Sequence, residues 1–279
     1  MLRRIPKKPI LIAAALFLVG VLGAGGAVGY LTFLRSPANP PSQACGAGRP
    51  TGSGPVVVAA GASMTQGTLG ADWVGALRER PEFAGYTFVN AGVNGNTVAD
   101  LLGRVDTDVV RCRPDAVVVL VGTNDVRGEV SVDRYRADLG ALVDRIESQT
   151  SARVALLSLP PLGEDLEASI NHRLGDFNAA IESIAATAGI DYLPVHEQFA
   201  DRLRRSGGPA TPFDFGFPLA FRAAAKHYLL GRSWDEVARS HHLELLVDHI
   251  HLSDQGGAVV TDLVGRWLGE ALRRKSRSR

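Results

Sequence analysis

From Val56 onward, short apolar runs alternate with longer stretches whose apolar residues recur every three or four positions. The runs are Val56–Ala60, Thr87–Asn90, Ala116–Val121, Val154–Ser158 and Asp191–Pro194. Between them lie Asp72–Arg80, Thr97–Val110, Val132–Gln149 and Glu167–Ala188, and a last stretch covers Asp254–Arg273. Leu139, Leu142, Val143 and Ile146, for example, fall on one helical face. Runs that are apolar throughout suit strands buried on both faces. The alternation therefore predicts an α/β domain, a parallel sheet with helices on either side.

The region before this domain differs in character. Arg3, Arg4, Lys7 and Lys8 mark a basic segment, 1–9, ahead of Ile10–Leu34, which holds no charged residue. A helix over that run rises about 37 Å, enough to cross a hydrocarbon core of about 30 Å. The basic flank predicts a cytoplasmic N-terminus and an extracytoplasmic remainder. A cleaved signal peptide is the alternative, with small residues at Ser36-Pro37-Ala38, although the apolar run is longer than a usual signal core. The residues after Arg3-Arg4 give little support to a twin-arginine signal. The glycines at 23–29 lie inside the apolar run with no strand before them, which removes them as a nucleotide loop.

Segment 35–54 is rich in Pro, Gly, Ser and Ala and predicts a flexible linker. The domain itself spans 55–273. Within it, 197–246 has no clear strand, contains the helix-like stretch Ser233–Leu246, and is long for a connection, as functional lids are. Phe213, Phe215, Phe217 and Phe221 crowd this insertion. They line an acyl pocket or give the insertion a small core of its own. A basic tail, 274–279, follows. The net charge of +1 gives no electrostatic case for a nucleic-acid partner. Cys45 and Cys112 both fall at the edge where strands begin, so a disulfide is reasonable in an oxidising compartment; two unrelated thiols remain open.

Ligands of an open parallel sheet bind beyond the carboxyl ends of its strands. There stand Gly61-Ala62-Ser63, Asn90–Thr97 and Gly122-Thr123-Asn124-Asp125, while Asp248–Ser253 precedes the last helix. Acyl transfer needs a nucleophile, a base, a group to orient the base, and donors for the developing oxyanion. Ser63 offers the hydroxyl and its own amide. His251 offers the base and Asp248, three residues earlier, the orienting carboxylate. Gly95 and Asn124 offer further donors, and Gly92 competes with Gly95 for that part. Alone, Ser63 reads equally as a helix cap, and Asp125 as a loop former. His249 lacks the three-residue offset from Asp248. His172, His196, His227, His241 and His242 share no spacing with acidic residues that suggests a metal site.

Four stretches, "GASMTQG", "NAGVNGNT", "GTND" and "DHIHLSDQG", resemble in order and spacing the four blocks of the SGNH hydrolases, or GDSL-type esterases and lipases. The resemblance runs from Val56 to about Leu272. It implies a three-layer α/β/α, flavodoxin-like fold with a five-stranded parallel sheet in the order 2-1-3-4-5. It implies Ser63, His251 and Asp248 as a triad, an oxyanion hole from Ser63, Gly95 and Asn124, and no metal or organic cofactor. The family usually carries aspartate where this chain has Ala62. Ser63 is not followed by the glycine of a G-x-S-x-G elbow, which argues against the α/β-hydrolase fold. The expected function is a membrane-anchored, extracytoplasmic serine esterase acting on a small-molecule, lipid or glycan acyl ester. An acyltransferase on a cell-envelope acceptor would use the same triad, and a binding protein that lost turnover is the third alternative.

Overall fold

The computed structural model describes residues 7–52 and 54–277. Its five strands are β1 Val56–Gly61, β2 Thr87–Gly92, β3 Ala116–Leu120, β4 Arg153–Leu157 and β5 Asp191–Leu193. All pair in parallel in the order β2-β1-β3-β4-β5, the order the resemblance implies. β1 and β3 are buried at every position, as continuously apolar strands must be when both faces are covered.

Twelve α-helices accompany the sheet among the described residues. Before it come α1 Lys7–Gly29 and the single turn α2 Pro41–Ala44. Short helices open directly behind strands or their loops: α3 Ser63–Gln66, α4 Trp73–Arg78 and α6 Thr123–Arg127. Longer ones are α5 Val98–Asp108, α7 Val132–Gln149, α8 Ser169–Ala188 and α9 Val195–Ser206, then α10 Phe217–Leu230, α11 Trp234–Ser240 and α12 Asp254–Arg277. Helices α5, α7 and α8 pack in a row on one face; α4, α12 and α9 form the other layer. Side-chain caps start several of them: a capping box between Thr97 and Asp100 opens α5, and Ser131 caps α7. The insertion expected over 197–246 is helical, built from the end of α9, then α10 and α11.

Of the basic segment 1–9, residues 1–6 lie outside the described residues, as do 278–279 of the basic tail; the backbone of α12 runs on to Arg277. α1 continues into a π-helical turn, Tyr30–Leu34. Leu11–Leu34 is long and apolar enough to cross a membrane, with a mean hydropathy of 2.4.

The composition of 35–54 suggests a loose tether, yet particular side chains bind it to the sheet. Asn39 Nδ2 donates to Phe88 O at 2.6 Å, and Asn90 N donates to Asn39 O at 3.1 Å. Both bonds fall on β2, the edge strand, whose free polar groups need covering. Cys45 is disulfide-bonded to Cys112, 67 residues along, and both are fully buried. A bridge closing a loop of that length contributes about 2–4 kcal/mol. Arg49 then pairs with Asp115 at 2.6 Å.

Candidate active site

The carboxyl ends of β1, β2 and β3 are level, with Gly61 opposite Gly92 on one side and Leu120 on the other. The loops leaving them therefore meet at one rim. Ser63 opens α3 immediately past β1. α3 presses close to the end of β2: a Cβ on Gly92 would stand 2.2 Å from Gln66 N, so only glycine fits there. The helix-cap alternative for Ser63 does not describe this turn, because Ala62 occupies the N-cap. Ala62, 7% exposed, holds the turn through its carbonyl, which accepts from Thr65 N and Gln66 N at 3.1 and 2.9 Å. Asn90 Nδ2 ties the same turn down by donating to Thr65 O at 2.7 Å. The turn that carries Ser63 thus has its shape without an aspartate at 62.

His251 reaches Ser63 from the far end of the chain. Its Nε2 lies 2.9 Å from Ser63 Oγ, and its Nδ1 lies 2.8 and 3.0 Å from the two oxygens of Asp248. Asp248 Oδ1 also accepts from the amides of Ile250 and His251 at 3.2 and 2.9 Å. Burial alone would raise the Asp248 pKa; the adjacent His251 ring and these hydrogen bonds outweigh it and hold the carboxyl below its ordinary value. Asp248 is fully buried and His251 nearly so, which is the setting in which a carboxylate fixes an imidazole tautomer.

Gly95 and Asn124 line the same cavity of about 220 Å³ as Ser63 and His251. Asn124 Nδ2 donates to Asn96 O at 2.9 Å, which leaves its second amide hydrogen for the cavity. Gly95 has φ +79°, a left-handed conformation that glycine adopts freely. Gly92 instead ends β2 under α3, which separates it from Gly95, the residue on the cavity wall. His249 does not face solvent: it is 6% exposed, sits edge-on to Phe213, and burial lowers its pKa.

Asp125 forms a bond the local pattern does not show. Both its oxygens accept from Val98 N, at 3.2 and 3.1 Å, joining the loop after β3 to the start of α5. Burial pushes its carboxyl up to about 6, partly offset by that amide. A carboxyl raised in the folded state binds extra protons there, so stability increases as pH falls from about 6 toward the ordinary carboxylate range. Asp125→Asn keeps the acceptor and removes the titration. Thermal melts at pH 7.5 and 5 should show the natural chain gaining on the variant in acid; a constant difference would refute the assignment.

Several residues of the site carry no signal in the sequence. Glu164, past β4, accepts from the amides of Glu244, Leu245 and Leu246 at 2.7 to 3.0 Å and so anchors the segment leading to Asp248. Arg127 lines the cavity with its guanidinium 4.5 Å from the Phe215 ring, and burial lowers its pKa. Phe215 and Phe217 line the cavity as well, whereas Phe221 faces outward, 39% exposed. Thr32 and Phe33, from the turn that ends the apolar N-terminal helix, complete the wall. The periodic pattern of that helix gives no hint of such a position.

A parallel sheet covered on both faces, with polar side chains gathered past its strand ends, places the chain among the three-layer α/β/α hydrolases. The chain belongs to the GDSL-like lipase/acylhydrolase family, whose model matches residues 59–259. An acetylxylan esterase of Geobacillus stearothermophilus is 28% identical over 205 residues, which is 68% of this chain and 86% of that protein. The crystal structure of the acetyl xylan esterase AlAXEase superposes with a TM-score of 0.59 at 22% identity, covering 77% of this chain and 98% of that one. The lipase/acylhydrolase from Enterococcus faecalis superposes with a TM-score of 0.54 at 19% identity, covering 77% and 95%. The chain is accordingly an esterase of the GDSL/SGNH type.

Proposed function

We propose that the chain is a membrane-anchored serine esterase that removes a short acyl group, of acetyl size, through an acyl-enzyme. The observation that carries this reading is His251, bridging Ser63 Oγ at 2.9 Å and Asp248 at 2.8 Å. Ser63 Oγ bonds to the ester carbonyl carbon while His251 Nε2 takes its proton. The charge on the carbonyl oxygen is met by the Ser63 amide, Gly95 and Asn124. Collapse expels the alcohol, which receives its proton from His251. Water then attacks the acyl-enzyme with His251 again as base, and the acid leaves. Asp248 holds the ring and supports the imidazolium.

The small cavity and the acetylxylan esterase relative support a short acyl group on a carbohydrate-like alcohol. The Cys45–Cys112 disulfide and the basic flank before Ile10 support an extracytoplasmic domain. The test uses the full chain in detergent with aryl esters from acetate to laurate and with acetylated xylo-oligosaccharide. A fluorophosphonate probe and peptide mass mapping locate the nucleophile. Turnover greatest on acetate, with the adduct on Ser63, is expected. No turnover of any ester, or an adduct elsewhere, sinks the reading.

A further inference from the structure

The anchor is part of the domain's architecture rather than a leash. Leu11–Gly23 is exposed at every residue, but Val28 and Thr32 are fully buried against the domain. The partner is α10, whose buried face is Ala220, Ala223 and Ala224, small residues that admit close approach. The two ends of α10 both reach the end of the anchor: Phe217 packs on Phe33 with ring centroids 6.2 Å apart, and Tyr228 Oη lies 3.3 Å from Arg35 Nη2. Residues eleven apart in α10 thus meet residues two apart in the anchor, so α10 lies across the anchor's end.

The length of free helix has a consequence. The thirteen residues Leu11–Gly23 rise only about 20 Å, while the hydrocarbon core is about 30 Å thick. Counted from Ile10, the first residue of the uncharged run, the roughly twenty residues needed to cross it end at about Gly29 and take in Val28, which is fully buried. A bilayer around this helix therefore reaches α10. The outward face of α10 suits that position: Phe217 is 72% exposed, Phe221 39%, Leu229 50% and Leu230 69%. Arg222 is exposed on the same helix, and Arg35 and Tyr228 sit at its junction with the anchor. Apolar residues with aromatic and basic companions are the composition of a helix lying in the membrane interface.

We propose that α10 is seated in the bilayer interface beside the anchor, and that the cavity consequently takes its acyl ester from an amphiphile resident in that bilayer. Phe33 of the anchor and Phe217 of α10 both line the cavity, and Phe217 is also 72% exposed, so the cavity wall is continuous with the surface at this junction. Of these two walls, the anchor lies wholly before the family match, which begins at residue 59, whereas α10 lies within it. The occupant of the α10 face is phospholipid, since the face is continuous with a membrane span; the ester chemistry rests on the reading above, whereas the seating does not.

The experiment places single nitroxide labels on the full chain in phosphatidylcholine–phosphatidylglycerol vesicles, at Phe221→Cys, Leu230→Cys and, as a solvent control, Asp133→Cys. The Asp133 side chain is 95% exposed on α7. Labels at 221 and 230 should collide readily with oxygen and poorly with a water-soluble nickel chelate, while the control shows the reverse. Labels at 221 and 230 as open to nickel as the control overturn the seating. Labels shielded from oxygen and nickel alike mean that a second copy covers the face, and also overturn it. Hydrolysis is read in the same vesicles on two fluorogenic acetates, one water-soluble and one with a hexadecyl chain on its leaving group. Phe221→Ser with Leu230→Ser should lower turnover of the chain-bearing acetate about tenfold and leave the soluble one unchanged. Equal effects on both overturn delivery from the bilayer. Labels open to oxygen and shielded from nickel, without any turnover by the natural chain, overturn the esterase reading and leave α10 in the membrane.

Discussion

Ser63→Ala is expected to lower kcat/KM by on the order of 10⁵-fold while leaving the fold and ester binding intact. The loss is large because in the proposed mechanism the hydroxyl and His251, 2.9 Å apart, act as one unit. The fold is spared because Ser63 is only half-buried and its side chain caps nothing; Ala62 holds the N-cap and the turn is closed by its carbonyl. Residual hydrolysis would come from the oxyanion donors alone, in a site that still orders the ester. Steady-state rates, a melting curve and the fluorophosphonate probe check it together. A variant with unchanged melting temperature, no adduct and no more than trace turnover is the expected result. A capping serine would behave oppositely, losing about 1 kcal/mol of stability and retaining activity.

Asp248→Asn should cost about 10⁴-fold in kcat by a different route. Both Asp248 oxygens now accept from His251 Nδ1–H, which leaves Nε2 free to take the proton of Ser63. An asparagine can present an N–H to the ring instead. Nδ1 then accepts, Nε2 carries the hydrogen, and the base is lost although every atom keeps its place. The same substitution has a signature in stability. The Asp248 carboxyl is depressed below its ordinary value, so its contribution is present above that value and is lost as pH falls through the depressed one. The natural chain should therefore lose stability below about pH 4, and the variant should lose less over the same interval. Rates at neutral pH and thermal melts down to about pH 3 test both halves. Equal acid sensitivity of the two chains would remove Asp248 from the assigned pairing.

Much of this fold is legible because its strands are apolar at every position and its helices keep one apolar face. Val132–Gln149 begins and ends where the periodicity puts it, since Ser131 caps one end and Thr150 is extended at the other. The rim residues are legible because short polar stretches directly follow the strands, and the resemblance supplies their order. What fails is contact between distant segments. Glu164 is an unremarkable carboxylate in its own stretch, and only the folded chain brings three amides of 244–246 to it. Asp125 reads as a loop former, but its partner Val98 lies 27 residues away. Phe215 and Phe217 could serve a pocket or a small core by composition alone; their position against His251 and Phe33 decides it. The N-terminal helix is readable as apolar, but Tyr30 and Thr32, the only polar side chains of Ile10–Leu34, are too little to show that its end packs on α10.

The strap over residues 36–50 bears on how far the enzyme can work. Asn39, Cys45 and Arg49 fix it to the sheet at three places, so almost no slack remains between the anchor and β1. A domain on a loose linker of that length would sweep a volume and meet polymers at a distance. This one has no radius of action beyond its own dimensions. With the N-terminal helix as the proposed anchor, its encounters would be set by lateral diffusion and by how many copies share a given area of surface, and its output should follow surface density rather than linker length.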